Sequence, residues 1–327
     1  MHLLIAGGGG FIGGHLAASY LQDGHAVRCV DWSPLDAWHQ RHDGAENVVA
    51  DLNDPRTAAA AVDGCDLVVN LACDMGGMGF IEHHKARCMT SVLTNTHLIA
   101  AATAAGADRY FYASTACVYP AGRQDTTEPI ALRESDAYPA DPEDGYGWEK
   151  LFSERMCRHY AEDVGLGVCI ARFHNVYGPR GTWFGGREKA PAALCRKIAE
   201  AELSGDHCIE VWGDGEQRRS FMFTDDAIDG IRRLIDSDVA EPNNLGSEET
   251  VSINELVDLI SDIAGIDVER DHDLSAPQGV RGRTSDNTLV RARLGWEPTT
   301  TLRDGLLPTN EWIREQVRAG RSARKTA

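Results

Sequence analysis

The sequence is short of several things, and each shortage closes off a class of function. No apolar run approaches the ~18–20 residues that a membrane-spanning helix needs, so no span and no membrane partner are expected. Positive charge is outweighed: 32 Lys and Arg against 50 Asp and Glu leave a formal net charge of −18, a surface that repels nucleic acid. The nine cysteines include no CxxC and no close pairing, a pattern of reduced buried thiols with neither a disulfide framework nor a metal site. The opening MHLLIAGGGG lacks the form of a secretory signal and reads as a buried strand running into a glycine loop, so a cytoplasmic protein is expected. The basic C-terminal RAGRSARKTA reads as a solvated, frayed end. Lysine itself is scarce, confined to Lys85, Lys150, Lys189, Lys197 and Lys325, so any lysine at a chemically sensitive position stands out.

What is present is a regular alternation. With 327 residues and 43% hydrophobic content, the chain can bury a full core as one large or two modest domains. HLLIAG (2–7) has strand character, and residues 11–24 have helix character with Gly24 as a left-handed stop. HAVRCVDW and NVVADL are short β-rich runs. Asp54 predicts an N-cap, Pro55 a first helical position and Gly64 a stop. CDLVVNLA, a helix through about 82–104, the strand RYFYAST, a helix over 141–165 opening on Asp141 and Pro142, and the strand GVCIARF continue the series. Strands separated by helices predict right-handed crossovers and an α/β fold with a doubly wound parallel sheet of the Rossmann kind. Past residue 176 the rhythm breaks into Gly- and Pro-containing loops, a helix from about 189 and a short strand, as in a smaller C-terminal lobe. RSFMFTDDAIDGIRRLI (219–235) returns to the first pattern, with Asp225 and Asp226 capping or bracing that helix. The expected division is 1–176 plus 221–245 for one domain and 177–220 plus 246–327 for the other.

Gly7, Gly10 and Gly13 form GxxGxxG at the first strand–helix junction. Gly7 permits the tight turn, Gly10 lets backbone approach a pyrophosphate, and Gly13 allows close helix–strand packing, with the helix N-terminus facing the anion. Alone the pattern would also fit a glycine-rich turn without a ligand. Asp31, closing the second strand eighteen residues after Gly13, adds the carboxylate that bonds ribose hydroxyls and repels a 2′-phosphate, which favours NAD over NADP. Asp51 and Leu52, after the third strand, would border the adenine.

Tyr146 and Lys150 stand four apart in the 141–165 helix and share a face. An ammonium beside a tyrosine would lower its pKa towards that of a usable base, and Thr115, at the end of RYFYAST, could share the proton. This constellation resembles the extended, sugar-nucleotide-modifying branch of the short-chain dehydrogenase/reductase superfamily. RFHNVYGP (172–179), GEQRRSF (215–221) and NNLGS (243–247) are similar to its later motifs. The resemblance assigns the first domain to NAD, with Phe11, Ile12 and Leu71 beside the cofactor, and the smaller lobe to a sugar nucleotide. It also implies a homodimer through the two long helices. Where the branch often has an asparagine, this chain has Thr90 and Ser91, and LLPTNEW (306–312) lacks an aromatic pair.

Dehydratases of that branch carry an acidic pair after the strand-end threonine. Here those positions are Ala116 and Cys117, so the dehydratase acid and base are missing, and a thiol suggests an added proton transfer. Lys189, in GTWFGGREKAPAALCRK (181–197), is a candidate partner acid, because lysine can trade a proton when desolvated and arginine effectively cannot. ACDMGGMGFIE (72–82), STACVYP (114–120), GGREKAP (185–191) and GVRGRTSDN (279–287) are similar to the plant-type GDP-mannose 3,5-epimerase family. That resemblance implies a GDP-sugar lined by Met75, Gly76, Asn175, Glu188 and Lys197, with its diphosphate on Arg219 and Arg283. Met75 and Met78 also fit plain packing roles, and the cysteines other than Cys117 read as small buried hydrophobes. Two other readings stand beside this one. A related 4-epimerase or reductase, or an epimerase of another GDP-hexose or heptose, would share most of the motifs. A non-catalytic NAD-binding regulator would typically lose the Tyr–Lys pair, which is intact here.

Overall fold

Alternation with a period of two decides the central layer. In His2–Ala6, Leu3 and Ile5 point into one core while Leu4 and Ala6 point into another, and Leu67 and Val69 oppose Val68 in the same way. A strand buried on both faces belongs inside a parallel sheet covered by helices. The computed structural model, which describes residues 1–320, shows that sheet. Residues 321–327 of the basic tail, with Lys325, lie outside the described residues.

Seven strands are ordered Asn243–Leu245, Gly167–Phe173, Arg109–Thr115, Leu67–Asn70, His2–Ala6, Ala26–Asp31, Glu46–Val49, and every neighbouring pair is parallel. The order reverses between His2–Ala6 and Leu67–Asn70, and the crevice at the carboxyl ends of strands at such a switch point is where this fold places a ligand. A second sheet joins Thr250–Ser252, Arg218–Ser220, Gly282–Ser285 and Ile130–Leu132. Ile130–Leu132 falls inside the stretch expected to belong wholly to the first domain, yet it pairs with Gly282–Ser285. Beneath this part lies a third core, from Leu194 and Ile198 through Leu256, Ile260, Leu306 and Ile313.

Local signals set most helix ends. Asp54 caps Pro55–Val62 by accepting from the Arg56 and Thr57 N–H groups, and Gly64 follows with φ +71°. The first helix runs Phe11–Gln22 with Gly24 just beyond, at φ +77°. Two expectations shift. The stretch expected as one helix over 82–104 falls in three, Met78–His83, Lys85–Met89 and Ser91–Ala105: His84 leaves helical geometry at φ −127°, ψ 39°, while the second division, at Thr90, keeps nearly helical backbone. The helix expected from 141 is Asp144–Val164, since Pro142 is drawn into an extended bridge with Pro120 and the Asp141 carbonyl accepts from Ala121 N–H.

Candidate active site

At the first strand–helix junction, packing leaves room for glycine and nothing larger. Gly7 holds φ +80°, and a Cβ on Gly13 would lie 2.2 Å from the Gly7 carbonyl oxygen. Gly10 caps the helix without a side-chain bond, so the Phe11, Ile12 and Gly13 N–H groups open the helix with no side-chain acceptor. Beside this turn is a cavity of about 190 Å³ bordered by Gly7, Gly10, Asp31 and Asp51, with Leu52 and Leu71 on its apolar wall. Asp31 and Asp51 each spend one oxygen on a nearby backbone N–H, at Ser33 and Asn53. A glycine cradle, a free helix N-terminus and carboxylates at the ribose position are the groups NAD requires, and they fit it.

A second cavity, about 320 Å³, is separate from the first. Tyr146, Thr115 and Cys117 line it, with Lys150 behind them and 3% exposed. Thr115 bonds the Tyr146 hydroxyl and its Oγ1 accepts from the Cys117 N–H at 3.2 Å. The expected lowering of the tyrosine pKa is absent from this site. Burial, then Cys73, Cys117 and Glu149, push the Tyr146 hydroxyl well above its ordinary value, against the Thr115 hydrogen bond; Lys150 donates to the Ala113 carbonyl at 3.0 Å. Lys150 itself is disfavoured by burial but held net above its ordinary pKa by Cys73 and Glu149.

Across the cavity, burial acts on a thiol and an amine in opposite senses. It pushes the Cys117 thiol up, helped by Glu143, while Arg283, Thr115 and Lys189 pull it back. The Lys189 amine is pulled down by burial and by Arg283, against the attraction of Cys117. Both groups are thereby brought towards the neutral forms that exchange protons readily. Arg283 pairs with Glu143 at 2.7 Å, both almost fully buried. Arg219 lies close by, and its pKa is lowered to about 9 by burial and by repulsion from Arg283. Two buried guanidiniums facing one cavity form a site that an anion relieves.

The chain is similar to known proteins over nearly its whole length. Residues 3–246 match the NAD dependent epimerase/dehydratase family. GDP-mannose 3,5-epimerase 1 of Oryza sativa subsp. japonica is 45% identical over 318 residues, covering 97% of this chain and 82% of that one. GDP-mannose 3,5-epimerase of Arabidopsis thaliana is 44% identical, covering 97% of this chain and 83% of its own. The chain belongs to the NAD-dependent epimerase/dehydratase family, among the GDP-mannose 3,5-epimerases. Among solved structures, a UDP-glucose 4-epimerase of Thermotoga maritima with UDP-glucose shares the fold at a TM-score of 0.88 and 24% identity, over 97% of this chain and 100% of that one. MoeE5 in complex with UDP-glucose and NAD aligns at a TM-score of 0.82 and 27% identity, over 97% and 100% of the two chains. The protein is an NAD-dependent epimerase.

For this epimerase the structure also places the remaining residues singled out in the sequence. Met75, Gly76 and Asn175 line the second cavity, and Asn175 takes the left-handed φ of +51° while its amide donates to the Ser220 carbonyl. Glu188 and Lys197 border the same cavity but are already engaged. Glu188 accepts from Gly186 N–H and Arg196, and Lys197 donates to Glu210. Two cysteines depart from the expectation of buried hydrophobes: Cys208 is exposed, and Cys73 is half-buried with its sulfur on Lys150. Asp226 does brace the return helix, accepting from the Thr299 and Thr300 N–H groups. Glu143 escaped the sequence reading because it resembles a helix-capping acid. Its carboxylate caps nothing and reaches Arg283, a partner whose proximity no local pattern announces. Among the described residues no cluster of metal-binding side chains occurs, and no helix is long and apolar enough to cross a membrane.

Proposed function

We propose that this enzyme inverts C3 and C5 of GDP-mannose through a 4-keto sugar, yielding GDP-L-galactose, with GDP-L-gulose where C5 alone inverts. The observation that carries this reading is a thiol and a desolvated amine opening into one cavity with the Thr115–Tyr146 hydroxyl pair. Identity of 44–45% to GDP-mannose 3,5-epimerases supports the choice of substrate.

NAD, when bound, would supply the hydride acceptor and donor for C4. The residues of this chain do the rest. Tyr146, as phenolate accepting a hydrogen bond from Thr115, takes the proton of the C4 hydroxyl and gives it back at the end, with the Lys150 ammonium and the positive ring of bound NAD opposing the burial that raises its pKa. Lys150 orients the cofactor side and supplies positive charge beside the tyrosine. The 4-ketone acidifies the C–H bonds at C3 and C5, since each carbanion is an enolate. Cys117, as thiolate, takes a proton from one face; Lys189, as ammonium, delivers one to the other. Thiol and amine then exchange the proton they hold in excess, which resets the pair for the second centre. Arg219 and Arg283 receive the diphosphate, and Met75, Gly76, Asn175, Glu188 and Lys197 shape the pocket around the sugar nucleotide. Phe11 and Ile12 offer N–H groups to the cofactor pyrophosphate.

The same reading assigns the stretches 1–176 and 221–245 to cofactor binding, apart from Ile130–Leu132, and the remainder to the sugar nucleotide. It places the protein in the cytoplasm, where nine free cysteines stay reduced. It also makes the protein a homodimer through the long helices, where Met89 and Leu93 on one side and Trp148 and Phe152 on the other are exposed at i, i+4 spacing.

The test is NMR of GDP-mannose incubated with the holoenzyme in deuterated water. Deuterium at C3 and C5 of the product is expected. A product without solvent deuterium would assign the protein to simple C4 chemistry, and a Cys117→Ala enzyme with full exchange would remove the thiol from the mechanism.

A further inference from the structure

Two loops that approach from opposite halves of the molecule grip each other beside the cavity. Arg187 donates from Nη1 to Asp74 Oδ1 at 2.6 Å and to the Met75 carbonyl at 3.1 Å. Its guanidinium lies over the Phe80 ring, 3.7 Å from the centroid. The Gly77 N–H donates to the Arg187 carbonyl at 3.0 Å. The approach excludes side chains: a Cβ on Gly77 would stand 2.5 Å from the Glu188 carbonyl oxygen. Asp74 is fixed from behind as well, by its own N–H donating to Ser91 Oγ at 3.0 Å and by an ion pair with Arg87.

The location gives this clasp its meaning. Asp74 borders the adenosine-side cavity. Arg187 directly precedes Glu188 and Lys189, which border the second cavity. One ion pair therefore joins a wall of the cofactor site to the segment that presents the amine. A half-exposed pair of this kind contributes little to global stability. Its two-point grip and ring contact define where a backbone lies, and placement is what a proton donor needs: a shift of about 1 Å costs about 100-fold in rate.

We propose that Asp74 and Arg187 are positioning residues that hold Lys189 over the sugar carbons and tie that placement to the cofactor wall. This rests on Lys189 acting as the proton donor, so the experiment separates the two ideas. Holoenzymes carrying Asp74→Asn, Arg187→Lys, Asp74→Glu and Lys189→Ala are compared with the unmodified protein on GDP-mannose in deuterated water. Deuterium at C3 and C5 is followed by NMR, and hydride transfer at C4 by the absorbance of the reduced cofactor in a single turnover.

The clasp predicts that Asp74→Asn and Arg187→Lys lose about 10- to 100-fold in C3 and C5 exchange. For Arg187→Lys, at a residue that lines neither cavity, bound NAD and the C4 step should stay within about twofold of the unmodified enzyme. Asp74→Glu, which keeps the carboxylate, should recover most of the exchange. Full exchange in both clasp variants overturns the proposal, as does an equal loss of exchange and hydride transfer in Arg187→Lys, the mark of general disruption. An unmodified enzyme that binds NAD and oxidises C4 but exchanges no deuterium overturns the donor role of Lys189 and this proposal with it, a pattern distinct from the other two. Thermal melts of each variant separate misfolding from misplacement, and Arg187→Lys stands in should Asp74→Asn fail to fold.

Discussion

A thiol serves as a carbon base only in its ionised fraction, and the surroundings of Cys117 pull that fraction both ways. Burial and Glu143 raise its pKa, while Arg283, Thr115 and Lys189 lower it. The rate of C3 and C5 exchange should therefore climb with pH through the raised thiol pKa. It should fall again where Lys189, its own pKa lowered by burial, loses the proton that the proposed mechanism has it donate. Removing the negative charge with Glu143→Gln lowers the cost of ionising the thiol, so the climbing limb should move to lower pH. A pH profile of deuterium exchange checks this, and an unmoved limb would detach Glu143 from the thiol. The thiol was legible in the sequence because Cys117 occupies a position where related chemistries put an acid. Glu143 was not, since an acid before a helix has an ordinary local explanation and its partner lies far along the chain.

The helix Asp144–Val164 carries Tyr146 and Lys150, and its orientation is set by a buried ion pair one and two turns further on. Glu154 accepts from Arg172 Nε at 2.9 Å and Nη2 at 2.7 Å, and Ser114 bonds the same carboxylate, so helix and two neighbouring strands share one charge. Both side chains are 2% exposed. Leaving Glu154 unpaired with Arg172→Met should cost about 3–5 kcal/mol of stability, measured by urea unfolding. Adding Glu154→Leu should return part of that loss, because the orphaned charge goes with it. Helix existence was readable from capping residues such as Asp54 and from glycine stops, which act within a few residues. The break at His84 was not readable, because no proline or glycine marks it. Its setting is tertiary: the Lys85 carbonyl lies so close to the Asp144–Val164 helix that a Cβ on Gly145 would be 2.6 Å from it. The late start of that helix has a similar origin, since the Pro120–Pro142 bridge claims residues that alone would cap well.

At the scale of the whole molecule, several exposed large apolar side chains lie on adjoining helices. Trp148 is 46% and Phe152 56% exposed on the outer side of the catalytic helix, next to Met89 and Leu93 from the neighbouring segments. A chain with a net charge of −18 keeps itself apart from copies of itself unless a surface like this outweighs the repulsion. The proposed homodimer predicts two copies for the unmodified protein in light scattering and one for Phe152→Asp; a single copy for both would remove this face as a self-association surface. The way the strands are shared out has a separate consequence. After the fifth strand of the seven-stranded sheet the chain contributes Ile130–Leu132 to the other sheet, returns with Gly167–Phe173, leaves for Arg218–Ser220, comes back with Asn243–Leu245 and leaves once more. Such stitching means that neither half is a cassette: no single cut in the backbone yields a transplantable cofactor module, and grafting a new sugar specificity onto this scaffold must proceed by loop exchange.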